Sequence, residues 1–226
     1  GVESLAIPHN SNWSQGLMFR RTKYDGKAID EEYVAKRMRN EPLVEITQIK
    51  GTSETHPALS PSDEWADFEL WTKSTPTRGE DGKIFMAEGS TNGAYARDAL
   101  RTGLEFQQII GENPYKFGFV GSTDGHNGAS PFEEKQYFGK LGRLDGTPQL
   151  RGSVPDASNK ITSPLTSPEW GASGLVGVWA EQNTRESIYE ALRRKETFAT
   201  SGPRIKPRFF AGYDFTCLLY TSPSPR

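Results

Sequence analysis

Cysteine is almost absent from this chain of 226 residues: Cys217 is the only one. It falls in Cys217–Arg226, a stretch that resembles the in-frame translation of a transposase adapter used to prepare sequencing libraries. Residue 1 is Gly rather than Met. These features lead us to expect an open reading frame from an assembled fragment, with residues 1–216 authentic and 217–226 a non-native tail. Without Cys217 the chain has no thiol, which excludes disulfides and thiolate metal sites. Charge of one sign is lacking too. With 27 basic and 29 acidic residues, the formal charge of -2 supports neither nucleic-acid binding nor attraction to a membrane surface. No apolar run approaches the roughly 20 residues of a spanning helix. None of this fixes a compartment, and a periplasmic or secreted parent is compatible with it. Apolar residues make up 34%, few for a globular domain, but 11% aromatic content argues against disorder.

Histidine is scarce as well, and its placement is informative. His9, His56 and His126 are the only three. Each follows or closes a strand-like run. Ser4–Pro8 reads as a strand that stops at proline, leaving His9-Asn10-Ser11-Asn12 as the next loop. Residues 42–50 read as a strand, with Glu45 on a wet face or pointed at a site, and Gly51–Pro57 carries Glu54 and His56. Residues 116–123 read as a buried strand that delivers Asp124 and His126 at its carboxyl end. That end is where open sheets and barrels of the α/β class place their chemistry.

The remaining elements are spaced like an α/β protein with a largely parallel sheet. Asp30 caps a helix with acids in its first turn and bases in its last. Gly93–Ile110 is the clearest helix, with Ala96, Ala99, Leu100, Gly103, Leu104, Gln107 and Ile110 on one face. Residues 174–180 read as a strand, Asn183 or Thr184 caps a helix to about Arg194, and residues 196–200 form a short strand. Residues 205–210 are a further strand candidate. Residues 58–93 read as an irregular loop with a short helix near 62–67, and 129–172 as a long excursion.

Imidazole and carboxylate without thiolate suit Zn, Mn or Fe. Residues two apart in extended backbone point the same way, so Asp124 with His126, and Glu54 with His56, could each reach a shared metal cluster completed by His9. A bound divalent ion would acidify water toward neutrality. The blander readings stay open: a histidine beside proline is commonly structural, and Glu54 could be a solvated loop charge. Asn10 and Asn12 could bind substrate. Arg204 could bind an anion such as phosphate, or close an edge salt bridge. Glu181 is a candidate outer partner or ligand. Trp13, Trp65, Trp71 and Trp179 could wall a pocket, with core packing favoured for Trp179.

Several of these stretches also carry a family likeness. Ile7-Pro8-His9-Asn10 and Gly121-Ser122-Thr123-Asp124-Gly125-His126 resemble metal-ligand motifs of the polymerase and histidinol phosphatase (PHP) superfamily. With Val44-Glu45-Ile46, Gly51–Pro57, Lys116–Phe119, Val178–Glu181 and Ala199–Arg204, they resemble the PHP-like family DUF3604 from about Val2 to Phe215. The resemblance implies an incomplete distorted (β/α)7 barrel with long irregular loops. It implies two or three divalent metals in the parent, with His9, Asp124 and His126 as ligands and Glu54 and His56 less directly matched. It implies metal-dependent hydrolysis of a small-molecule substrate, most often a phosphate ester. Asp124, His126 and Arg204 would then serve catalysis, and Asn10, Asn12 and Arg204 substrate binding. The family's first His-x-His motif is missing and is expected upstream of Gly1, which would leave this fragment inactive alone. The alternatives are a C–N hydrolase of amidohydrolase type, a non-catalytic ligand- or carbohydrate-binding module, and an assembly product without function.

Overall fold

The computed structural model describes residues 3–71, 75–78, 84–87, 91–126, 147, 149, 155, 157–160 and 171–213. The first helix, α1, spans Glu31–Asn40. Asp30 accepts from the Tyr33 backbone N–H at 3.0 Å, satisfying one of the orphan donors of the first turn. Glu31 and Glu32 lie in that turn and Arg37 and Arg39 in the last, complementing the macrodipole. Arg37 also anchors the helix to the core. It donates to the Met18 carbonyl at 2.9 Å and stacks 4.9 Å from the Tyr115 ring centre.

Strand β1, Leu43–Gln48, is buried along nearly its whole length. It pairs in parallel with β5, Gly118–Gly121, in the register Leu43↔Gly118, Val44↔Phe119 and Glu45↔Val120, then slips by a bulge to Thr47↔Gly121. On its other edge it turns through Ile49 and Lys50 into the antiparallel β2, Gly51–Thr52. Gly51 has φ +92°, and a Cβ there would sit 2.8 Å from both the Glu69 carbonyl oxygen and the Trp71 nitrogen. Only glycine fits that turn.

Helix α2, Ala96–Ile110, packs on β1 and stops at Gly111, which has φ +77°. The core beneath it gathers Phe19, Val44, Ala96, Ala99 and Tyr115, with Met18, Ile46, Phe106, Phe117 and Phe119 at its margin. The buried face keeps Ala96, Ala99 and Gly103 of the one expected but turns from it toward the carboxyl end. Thr102 and Gly103 are buried, whereas Leu104 is 59% exposed. Small side chains win the inner face because they let the helix backbone come close. A Cβ on Gly103 would lie 2.1 Å from the Asn113 side-chain oxygen.

Strands β6, Gly174–Val178, and β7, Thr197–Ser201, are antiparallel, with α3, Arg185–Arg194, between them in sequence. Thr184 caps α3 through the Ser187 N–H at 3.3 Å. This pair abuts β5: the Thr197 hydroxyl donates to the Phe119 carbonyl at 2.8 Å, and the Gly174 N–H to the Ser122 carbonyl at 3.0 Å.

The barrel expectation is corrected here. Among the described residues there are three α-helices, with sheets of two and three strands, and no (β/α)7 barrel. The reason is directional. Among the described strands only β1 and β5 run parallel; β1–β2, β6–β7 and the pair of β3, Thr75–Arg78, with β4, Ile84–Ala87, all reverse direction, so strand does not alternate with crossover helix. β3 and β4 pair antiparallel where an irregular loop was expected. Successive turns, not a helix, occupy residues 61–69. Ser4–Pro8 is not a strand. It makes single bonds, Ala6 N–H to the Asn40 carbonyl and Glu45 N–H to the Pro8 carbonyl, rather than a ladder. Residues 205–210 form no strand either, and most of 129–172 lies outside the described residues.

The turn at Gly51 gives a test. Gly26 also has positive φ, at +82°, but a Cβ there meets nothing within 4 Å. Gly26→Ala should cost about 1 kcal/mol from backbone strain alone. Gly51→Ala should cost about 3 kcal/mol or more, because a backbone clash adds to the strain. Urea denaturation midpoints of the two variants check this.

Candidate functional site

Because β1 and β5 run parallel, their carboxyl ends open on the same edge. Polar side chains from both strands meet there in two neighbouring groups. The first is centred on Glu45, only 7% exposed. Its carboxylate accepts from the Ser122 hydroxyl, from the Gln48 side-chain amide at 3.2 Å and from the Asn10 backbone N–H at 3.4 Å. A carboxylate this deep needs such donors to offset its lost hydration. They in turn fix Asn10, the residue after His9, and Ser122, two before Asp124.

The second group is centred on Lys50, 9% exposed. Its ammonium lies 2.7 Å from Asp124 Oδ2, with both side chains nearly buried. It also sits 5.1 Å from the Trp13 ring centre, and Trp13 packs against Trp71. The Lys50 backbone is tied at both ends. Its N–H donates to Gln48 Oε1 at 3.1 Å, and its carbonyl accepts from Asn12 Nδ2 at 3.1 Å. Asn12 is held by Ser53, whose hydroxyl donates to Asn12 Oδ1 at 3.0 Å. Asp124 has φ +51°, a left-handed backbone unusual outside glycine and sustained by its surroundings. Its other oxygen, Oδ1, lies 3.3 Å from His126 Nε2. The His126 side chain is half exposed, open to a ligand from solvent.

The structure thus brings Asp124 and His126 together, with Asn10 and Asn12 close by as supports of the two groups. It engages the other candidates elsewhere. His9 is exposed, on a loop tied to β1 through the Pro8 carbonyl. Glu54 pairs with Arg97, which also binds Asp63 and by that hydrogen bond holds the Asp63 carboxyl below its ordinary value. His56 Nδ1 accepts from the Ala58 N–H at 3.1 Å, closing a local turn, and its ring lies 5.6 Å from that of Tyr95. Arg204 Nη1 donates to the Ser173 carbonyl at 2.8 Å and the Thr200 hydroxyl at 3.0 Å, joining the start of β6 to the end of β7. Glu181 is exposed. Trp179 donates its indole N–H to the Pro207 carbonyl at 3.1 Å. Trp65 is 71% exposed.

Among the described residues no three His, Cys, Asp or Glu side chains gather as a metal set. Asp124 and His126 nonetheless supply a carboxylate oxygen and an imidazole nitrogen side by side, the donor chemistry of Zn, Mn or Fe. They fit one edge of such a site. Sequence reasoning missed Lys50, whose one signal is the glycine that follows it. It also missed Glu69, at φ +51°, which accepts from the Ala172 N–H at 2.8 Å and from the Ser201 hydroxyl, tying its loop to β7 and the segment before β6.

The model of a family described as a protein of unknown function (DUF3604) matches residues 1–224, and the chain belongs to that family. No curated protein and no solved structure matches the chain.

The Lys50–Asp124 pair should show strong coupling. Asp124→Ala leaves a nearly buried ammonium without its carboxylate and should cost about 3 kcal/mol. The double variant Lys50→Met, Asp124→Ala should cost less than the sum of the single changes by about 1–3 kcal/mol. A double-mutant cycle in urea reads this coupling.

Proposed function

We propose, taking membership of the DUF3604 family as the premise, that this chain carries part of the active centre of a PHP-type metal-dependent hydrolase acting on phosphate esters. One observation carries the reading. The Asp124 carboxylate and the His126 ring, the ring half open to solvent, meet beyond the carboxyl end of β5, on a strand pair that is otherwise largely buried. A divalent ion held there would supply Lewis acidity and an acidified water.

The chain's own residues do the holding and the aiming. Asp124 Oδ1 orients the His126 ring, and the left-handed backbone at Asp124 sets the carboxylate between that ring and Lys50. Glu45 fixes the Asn10 backbone and Ser122, so the loops that leave Pro8 and β5 are pinned to the same strand. Asn12 acts on the site through the Lys50 carbonyl. Preorganisation of this kind places donors before substrate arrives, so that little reorganisation is needed at the moment of reaction. His9, on the loop pinned beside Glu45, is a further candidate donor in this reading.

The test is an assay of the full-length parent that carries this chain, with Mn or Zn on a generic phosphomonoester such as p-nitrophenyl phosphate, and with metal content measured alongside. Metal-dependent turnover is expected, falling about 100-fold or more in Asp124→Asn and His126→Ala, since loss of a ligand exceeds the loss of an outer partner. Folded protein that binds neither metal and turns over no phosphomonoester overturns the proposal. Cleavage of amides in the same panel, without cleavage of phosphate esters, would identify a C–N hydrolase instead.

A further inference from the structure

We infer that Lys50 is an anion-positioning residue: once Asp124 is drawn to a metal, the buried Lys50 ammonium takes an oxyanion of the substrate in its place, so the site selects phosphate esters over neutral amides. The inference rests on the hydrolase reading above and deepens it.

A nearly buried ammonium is stable only when paired, and here its partner is the Asp124 carboxylate at 2.7 Å. That same carboxylate faces His126 with its other oxygen. If Asp124 serves as a metal donor, two cations compete for one anion. A divalent ion held by Asp124 would draw on the carboxylate's charge, and the buried Lys50 ammonium would then need another anion.

Lys50 cannot readily swing away to water. Its N–H and its carbonyl are both bonded, to Gln48 and Asn12. The next residue, Gly51, is pressed against the Glu69 and Trp71 backbone so closely that a Cβ would not fit. The aliphatic stem therefore leaves a fixed point, and the charged tip stays over the Trp13 ring. The Trp13 indole N–H is itself buried with no hydrogen-bond partner among the described residues, a second donor at the same place. A cation and an N–H donor beside a metal-donor pair match the oxygens of a phosphoryl group. A neutral amide has no charge to give back to the ammonium.

The test uses the same full-length parent and two titrations, Mn²⁺ alone and then inorganic phosphate with Mn²⁺ present. Wild type, Lys50→Arg and Lys50→Met are compared, each checked for folding by circular dichroism. Lys50→Met should bind Mn²⁺ about tenfold more tightly, because the competing cation is gone, and should bind phosphate about tenfold more weakly. Lys50→Arg should retain phosphate binding. Damage to the fold would weaken both ligands, so a rise in metal affinity beside a fall in phosphate affinity marks the positioning role. Lys50→Gln, which keeps a donor for Asp124, takes the same measurements if Lys50→Met does not fold. Wild type that binds Mn²⁺ while the folded variants leave phosphate affinity unchanged overturns the role of Lys50 alone. Wild type that binds no metal overturns the hydrolase reading, and this inference with it.

Discussion

Parallel pairing between β1 and β5 is the constraint on which the rest of the molecule depends. Two segments far apart in sequence lie side by side and point the same way. Their carboxyl ends therefore share an edge, and that alone lets Ser122 reach Glu45 and Asp124 reach Lys50. Glycine in β5 makes the crowding around that pairing possible. A Cβ on Gly118 would stand 2.7 Å from Lys195 Cβ, and one on Gly121 would stand 3.0 Å from the Leu175 carbonyl and 3.2 Å from Ala199 Cβ. The β6–β7 pair can press against β5 only because those side chains are missing.

β1 serves two environments. Val44 and Ile46 belong to the aromatic core under α2. Glu45 belongs to the polar group with Ser122 and Asn10. The strand is thus a partition between an apolar layer that stabilises the fold and a polar layer that carries charge. The polar layer is costly to bury, and each member is held by another: Glu45 by three donors, Lys50 by Asp124, Asn12 by Ser53. Such a network has few alternative arrangements, which suits a site whose geometry must be set in advance.

Long side chains of one sign do comparable work on the outer side. Arg37 joins α1 to the core by packing over Tyr115 as well as by hydrogen bonding. Arg97 gathers Glu54 and Asp63 around the start of α2, and Arg204 ties the ends of β6 and β7. These three arginines are fasteners. Their planar forks bind two groups at once, which a lysine ammonium does less well.

Local signals in the sequence determined the helices, their caps at Asp30 and Thr184, the strands at residues 43–48, 118–121, 174–178 and 197–201, and the adjacency of Asp124 to His126. Each depends on neighbours within a few positions, through hydrogen-bonding side chains at helix starts, apolar periodicity and a two-residue spacing. Strand direction was beyond it, because an apolar run reads the same whether its partner is parallel or antiparallel, and a barrel was expected where β6 and β7 turn back. Part of the inner face of α2 was beyond it as well: Ala96, Ala99 and Gly103 face inward as expected, but Thr102 joins them and Leu104 is left exposed. Tertiary structure alone decided which charges meet. Lys50 finds Asp124 while Glu54 finds Arg97, because pairing depends on distance in space: β1–β5 pairing brings Lys50 and Asp124 within reach, and the backbone bonds from Ala96 and Arg97 to Ser53 and Glu54 bring the other pair together.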